Sequence, residues 1–344
     1  MNGAFILGSA RCGSTLVSDL IRLHPELLSL SEVFSTAGAR AFPHGRLTAR
    51  QFWRGLARPT RIGTLAGNPK RAPREFLYGS QKGNRHDPFH CPPLLQVALP
   101  HLSAAPDDLF DALAAEVAGY PRQSVADHYR QLFDGMARRQ NRRVWVERSG
   151  GSLVATRTLA ALFPKARLVL LTRSGPETVL SMCDYPATRL AARMWHRLRG
   201  IGIDLLDPLR HYGRGRVWPV LQALSFAMPV TPMLDDPAEP ELLARFWSEM
   251  MIRGARELAA LPASRWQPLS YEALVAAPER ELTALAKALG VDAPASWLSE
   301  AGALPLPRPS RAAQLAVKDR ARLEAACAPG EAALAALTAS RSAA

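Results

Sequence analysis

The chain has 344 residues, 48% of them hydrophobic, enough for one large domain or two intimate ones. No apolar run reaches the ~18 residues of a membrane span and no basic-then-apolar leader opens the chain, while Cys12, Cys91, Cys183 and Cys327 lie far apart with no C-x-x-C pair; a reducing cytoplasm is the expected location. The net charge of +13 suits a multiply anionic ligand, an acidic substrate or peripheral contact with an anionic membrane, but no basic face interleaved with stacking aromatics points to nucleic acid.

In chain order, Phe5-Ile6-Leu7 reads as a strand running into the glycine-bounded loop Gly8-Ser9-Ala10-Arg11-Cys12-Gly13 and then into a helix opening Ser14-Thr15-Leu16. Glycines in such a loop let backbone N–H groups turn inward while the helix aims its unpaired N–H groups at an anion, and Arg11 adds a permanent charge. Gly8, Gly13 and Thr15 fit G-x-x-x-x-G-K-[ST], but Ser14 stands where nucleoside triphosphate sites carry lysine. That loss argues for a different phospho-anion chemistry, with a plain strand-to-helix turn as the bland alternative. His24-Pro25 and then Glu32, in Leu28-Ser29-Leu30-Ser31-Glu32-Val33-Phe34, follow that helix.

Residues 35–140 form a first long insertion of the kind that carries binding loops, Pro-, Gly- and Arg-rich up to about 105, with a short helical piece at Ala49-Arg50-Gln51-Phe52-Trp53-Arg54. His86, His90 and Cys91 make the one compact histidine cluster, with Asp87-Pro88 and Pro92-Pro93 arguing for a loop and against a metal. Pro106 opens a helix with Leu109, Phe110, Leu113 and Val117 on one face. His128 falls in a helix, facing an acceptor or simply packing. The basic run at 138–143 reads as a solvated helix end. Val144-Trp145-Val146 reads as a strand that brings Glu147 and Arg148 to the same sheet edge.

Ala166-Arg167-Leu168-Val169-Leu170-Leu171-Thr172-Arg173 reads as a buried strand ending in a cation, and Pro176 and Glu177 open the next helix. Arg173 thus sits at the carboxyl end of a strand, where open α/β sheets bind ligands. Ser181, eight positions on, falls about two helical turns along and could share an anion with it. A second insertion, about 184–240, holds Trp195, Tyr212, Trp218, Phe226 and Met228, which read as core or as walls of an apolar pocket. Leu242, Leu243, Phe246, Trp247, Met250, Met251 and Leu258 recur at helical spacing and predict a buried helix. The Ala/Ser-rich residues 329–344 read as a fraying tail, leaving 1–328 as a single domain.

The loop at 10–16, the Arg173/Ser181 spacing and the block Tyr271-Glu272-Ala273-Leu274 ending at Pro278 together resemble the sulfotransferase family that uses 3′-phosphoadenosine 5′-phosphosulfate (PAPS). The departures are Ala10, where proline is common, and Cys12, where a hydroxyl is usual. The resemblance implies an α/β fold: a central parallel sheet flanked by helices, P-loop-NTPase-like, with helical and loop insertions for the acceptor. It also implies sulfuryl transfer from PAPS to a hydroxyl, less readily an amine, leaving adenosine 3′,5′-bisphosphate and needing no metal. The acceptor is a small molecule, glycan, lipid or peptide. Arg11 is then assigned to the leaving phosphate oxygen. The stretch Arg11, Cys12, Gly13, Ser14, Thr15 and Leu16 takes the 5′-phosphosulfate, Arg173 and Ser181 the 3′-phosphate, and Tyr271 belongs to the same cofactor-binding set. Arg308 and Arg311, in a basic loop at 306–311, approach the 3′-phosphate. Glu32, in a segment that resembles H-P-x(n)-G-E, is the expected general base, ahead of Glu147 or a histidine, and Arg148 steadies the sulfuryl oxygens. The rivals are a P-loop-type nucleotide kinase or NTPase and a non-catalytic PAPS- or anion-binding module.

Overall fold

The computed structural model describes residues 2–71, 75–80, 82–207 and 230–342. Its strands are β1 (Asn2–Leu7), β2 (Leu27–Ser31), β3 (Arg46–Leu47), β4 (Gln123–Ser124), β5 (Val144–Arg148), β6 (Arg167–Thr172) and β7 (Trp266–Ser270). Five of them form one parallel sheet in the order β2-β5-β1-β6-β7, while β3 and β4 make a small antiparallel ladder apart from it. The chain leaves β1 toward β2 on one side and later fills β6 and β7 on the other. The strand order therefore reverses beside β1, and the loop after β1 opens at that switch point.

Alternate residues of each strand feed different cores, as expected of a sheet covered on both faces. Phe5, Leu7, Leu28, Leu30, Trp145, Leu168 and Leu170 point to one side; Ala4, Ile6, Leu27, Val144, Val146, Val169 and Leu171 point to the other. The second side is closed by α1 (Ser14–Arg22), through Val17, Leu20 and Ile21, and by the helix Pro278–Leu289. The first is closed by α4 (Pro240–Ala259) and by the first insertion; between α1 and α4 in the chain lie α2 (Val33–Ala37) and α3 (Gly175–Cys183).

In the first insertion, the helices Ala49–Ala57 and Val125–Arg139 bring Phe52, Tyr129 and Phe133 against Phe34 and Phe42. His128 belongs to this packing: its ring stacks on Phe52 and its Nε2 meets the Leu47 carbonyl at 2.9 Å. His90 Nδ1 lies 3.4 Å from Thr64 Oγ1 and His86 Nε2 4.0 Å from Asp107. Trp195 is buried against Phe246 and is core rather than pocket wall; Tyr212, Trp218, Phe226 and Met228 lie outside the described residues.

The carboxyl-terminal stretch corrects the expectation of fraying. Residues Val317–Ser342 form one helix, α5, that runs through Pro329 and buries Leu323, Cys327, Leu334 and Leu337. A proline inside a helix frees carbonyls of the preceding turn. Ser248 of α4 donates to two carbonyls at this point, Ala326 (2.8 Å) and Cys327 (3.3 Å). Gly330 lets the two helices close: a Cβ there would lie 2.8 Å from both Ser248 Cα and the Trp247 ring. No described helix is long and apolar enough to cross a membrane.

Candidate active site

Each of the five parallel strands delivers one polar residue or loop at its carboxyl end: the 8–13 loop from β1, Glu32 from β2, Arg148 from β5, Arg173 from β6 and Tyr271 from β7. Register keeps them adjacent, since Arg148 lies opposite both Ile6 and Ser31, and Thr172 opposite Ser270.

The β1–α1 loop folds as a cradle. Gly8 is hemmed in, because a Cβ there would lie 2.7 Å from Cys12 Sγ and 3.2 Å from the Leu171 carbonyl. Gly13 takes φ 94° at the N-cap of α1, and its missing Cβ leaves room for the Tyr271 ring, which would otherwise be 2.3 Å away. The Cys12 thiol turns inward and donates to the Ser9 carbonyl (3.0 Å), with burial pushing its pKa up to about 11; only its backbone remains at the cradle. Arg11 Nε donates to Ser181 Oγ at 3.3 Å, and its guanidinium lies 5.6 Å from the Tyr185 ring centroid. Ser181 thus meets Arg11, which brings the loop after β1 and the last turn of α3 together.

Glu32 and Arg148 form a buried ion pair below the cradle. Arg148 Nε donates to Ser18 Oγ (2.8 Å) and Nη1 lies 3.4 Å from Ser14 Oγ, so the strand-tip guanidinium grips the first two turns of α1. The other carboxylate oxygen of Glu32 accepts from the Gly150 N–H (2.9 Å) and from Ser35 Oγ. Arg11 (φ 66°) and Glu32 (φ 59°) are two of the three described non-glycine residues with left-handed backbone. Such strain persists where the surroundings over-determine it, and it gathers at functional sites.

Glu147 lies at the same strand end as Arg148 but faces away from it. Strand alternation turns it to the opposite face, where Oε1 accepts from Ser149 Oγ (2.6 Å) and Oε2 is buried without a partner among the described residues. Ser149 Oγ in turn receives the N–H groups of Phe34 (3.0 Å) and Ser35 (3.2 Å) at the start of α2. Burial pushes the Glu147 carboxyl up to about 8. It is a buried strut under the helix that Glu32 opens.

On the other side of β1, the Arg173 guanidinium stacks over the Tyr271 ring, 4.7 Å from its centroid, and lies 3.8 Å from Glu177. Its Nε is buried and has no hydrogen-bond partner among the described residues. Tyr271 is therefore shared: one side carries Arg173, the other covers Gly13. The Arg173 turn is held from two elements, with Ser174 N–H donating to Glu272 (2.8 Å) and Gly175 N–H to Glu331 of α5 (2.6 Å). Arg311 is engaged by Asp184 (2.6 Å), while Ser310 Oγ and the Ala312 N–H bond Glu177, so the 310–312 loop is pinned to α3 beside Arg173. Arg308 is exposed.

A sulfotransferase-family sequence model matches residues 4–217, more than half of the chain. The chain belongs to the sulfotransferase family. No curated protein sequence matches it. Among solved structures it is similar to the sulfotransferase domain of the curacin biosynthetic pathway (16% identity, 94% of this chain, 90% of that one, TM-score 0.44). It is also similar to the sulfotransferase domain of the Synechococcus PCC 7002 olefin synthase (19%, 94% and 87%, 0.41) and to the sulfotransferase STF9 of Mycobacterium avium (14%, 94% and 75%, 0.43). These likenesses are too distant to add to what the family match and the sheet order establish.

Several parts of this sulfotransferase site carry no sequence signal of their own. Ser18, Ser149 and Glu331 act by contacts far along the chain, and only Glu272, inside the Tyr271 block, sits where a motif could point to it.

Proposed function

We propose that this sulfotransferase takes its sulfuryl group from PAPS and passes it to a hydroxyl of a small-molecule, glycan, lipid or peptide acceptor in the cytoplasm. The observation that carries this reading is Arg173: a guanidinium with a buried, unpartnered Nε, stacked on the tyrosine that covers the cradle's Gly13. A buried donor without a partner is costly, and an anionic oxygen supplied by a ligand would satisfy it. The residues present therefore fit a nucleotide carrying phosphate at both ends. The cradle amides of Gly13, Ser14 and Thr15 with Thr15 Oγ1 would hold the 5′-phosphosulfate, and Arg173 with Tyr271 the 3′-phosphate side.

Ser181 bonds Arg11 rather than Arg173, which assigns it to orienting Arg11 toward the leaving phosphate oxygen. In the transfer, the acceptor oxygen bonds sulfur as the sulfur–bridging oxygen bond breaks, adenosine 3′,5′-bisphosphate departs and the acceptor proton passes to Glu32. Three of the roughly four lone-pair sites on the Glu32 carboxylate are taken by Arg148, Ser35 and Gly150. The fourth remains for the acceptor. Arg148 reaches the sulfuryl oxygens only through this pair and the serines of α1, so its role is to position. Ser14 Oγ faces Arg148, in the position where a lysine would reach for nucleotide phosphates in a kinase. The test is transfer of label from sulfur-labelled PAPS to a panel of hydroxyl acceptors, read as a mass gain of one sulfate; Mg²⁺-dependent ATP turnover in its place would overturn the proposal.

A further inference from the structure

Glu75 belongs to the first insertion, far from β1 in sequence, yet its carboxylate lies in the cradle. Thr15 Oγ1 donates to its Oε2 at 2.8 Å, and Arg11 Nη1 lies 3.6 Å from its Oε1. The group is largely shielded from solvent, with 12% of the side chain exposed. Its backbone is anchored separately, by His101 Nε2 at 3.0 Å from the Glu75 carbonyl. Burial lowers the His101 pKa, so the ring is neutral at pH 7 and donates through Nε2.

We infer that Glu75 is a resident stand-in for the donor's anion, a carboxylate that occupies the cradle's two side-chain ligands and must be displaced before the donor can bind. The inference rests on the donor reading above. Thr15 and Arg11 are the side chains that reading assigns to the 5′-phosphosulfate and its leaving oxygen, and each is already engaged by a carboxylate oxygen. A carboxylate and a phosphate cannot share that space, because like charges at contact distance repel strongly in a shielded site. With the Glu75 carbonyl tethered to His101, displacement is a side-chain rotation rather than an opening of the insertion. The consequence is a donor affinity set below what the cradle alone would provide, and a product held less tightly because Glu75 competes for the same groups. The residue also connects the insertion assigned to the acceptor with the donor cradle.

The test is isothermal titration of adenosine 3′,5′-bisphosphate into the full chain as wild type, Glu75→Gln, Glu75→Ala and Glu300→Gln. The last removes an exposed carboxylate as a control for net charge. Thermal melts accompany each protein to establish that it is folded. Both Glu75 variants are expected to bind about tenfold tighter than wild type, the scale of one displaced charge-assisted contact, with Glu300→Gln matching wild type. Wild type that binds while the Glu75 variants bind no tighter overturns the stand-in role alone. Failure of all four proteins to bind overturns the donor reading, and this inference with it.

Discussion

On the proposed function, Arg173 and Glu32 divide binding from chemistry. Arg173→Ala removes the stacked cation and its unpartnered Nε, so the Kd for adenosine 3′,5′-bisphosphate should rise ~10–100-fold in calorimetry, the scale of a charge-assisted hydrogen bond to phosphate. Glu32→Gln should leave that Kd within about twofold while transfer slows by ~100-fold or more. It also strips Arg148 of its counter-charge, a loss bounded by the ~3–5 kcal/mol of a broken buried pair, so a lowered melting temperature should accompany it. Unchanged turnover with lowered stability would leave Glu32 a purely structural partner of Arg148.

Glu147 yields a prediction in pH. Its folded carboxyl titrates near 8 and its unfolded one near 4.5, so the folded state holds the extra proton between those values. Its stabilising contribution is full below about 4.5, declines by up to ~1.4 kcal/mol per pH unit as pH rises through the window, and is flat above 8. Denaturant titrations of Glu147→Gln across pH 5–8 should show that slope removed relative to wild type. An identical slope in the two proteins would mean the carboxyl titrates normally.

At the scale of elements, two helices depend on contacts that are distant in sequence. Gly13→Ala places a Cβ against Tyr271 in a left-handed position, so it should cost more than ~1 kcal/mol and weaken donor binding together. Glu331→Ala removes the carboxylate on the Gly175 N–H and should cost ~0.5–2 kcal/mol, read from denaturant midpoints. Insensitivity to that change would mean α5 merely covers α4.

The same elements show what could be read from residues alone. The glycine loop, the β6 strand and α4 follow from local pattern: paired glycines, an apolar run ending in a cation, and apolar residues at helical spacing. β2 and β7 do not, because Ser29 and Ser31 turn to Ser18 of α1 and Pro268 breaks the apolar run of an edge strand, where a proline is tolerated. The tail helix is hidden by its own Pro329, since nothing in that stretch reveals that Ser248 bonds the Ala326 and Cys327 carbonyls beside it. Arg11 lies in the loop between β1 and α1, Thr15 in the first turn of α1 and Arg173 just past β6, positions that the local pattern alone predicts. The partners of Ser181 and Thr15 depend on how separate strand tips and insertions meet, whereas the opposite facing of Glu147 and Arg148 follows from strand alternation alone.

Taken whole, the molecule gathers the tips of five parallel strands at one sheet edge, on a chain of net charge +13. Association with a multiply anionic donor should accordingly slow as ionic strength rises, a dependence that stopped-flow binding across a salt series measures. On the proposed function, the cradle and Arg173 grip opposite ends of one nucleotide. The most direct measurement compares calorimetric Kd values for adenosine 3′,5′-bisphosphate and adenosine 5′-monophosphate in wild type and Arg173→Ala. The bisphosphate should bind wild type at least ~10-fold tighter, and the preference should disappear in the variant. Equal affinity of wild type for the two nucleotides, or a preference that survives the loss of Arg173, would contradict it.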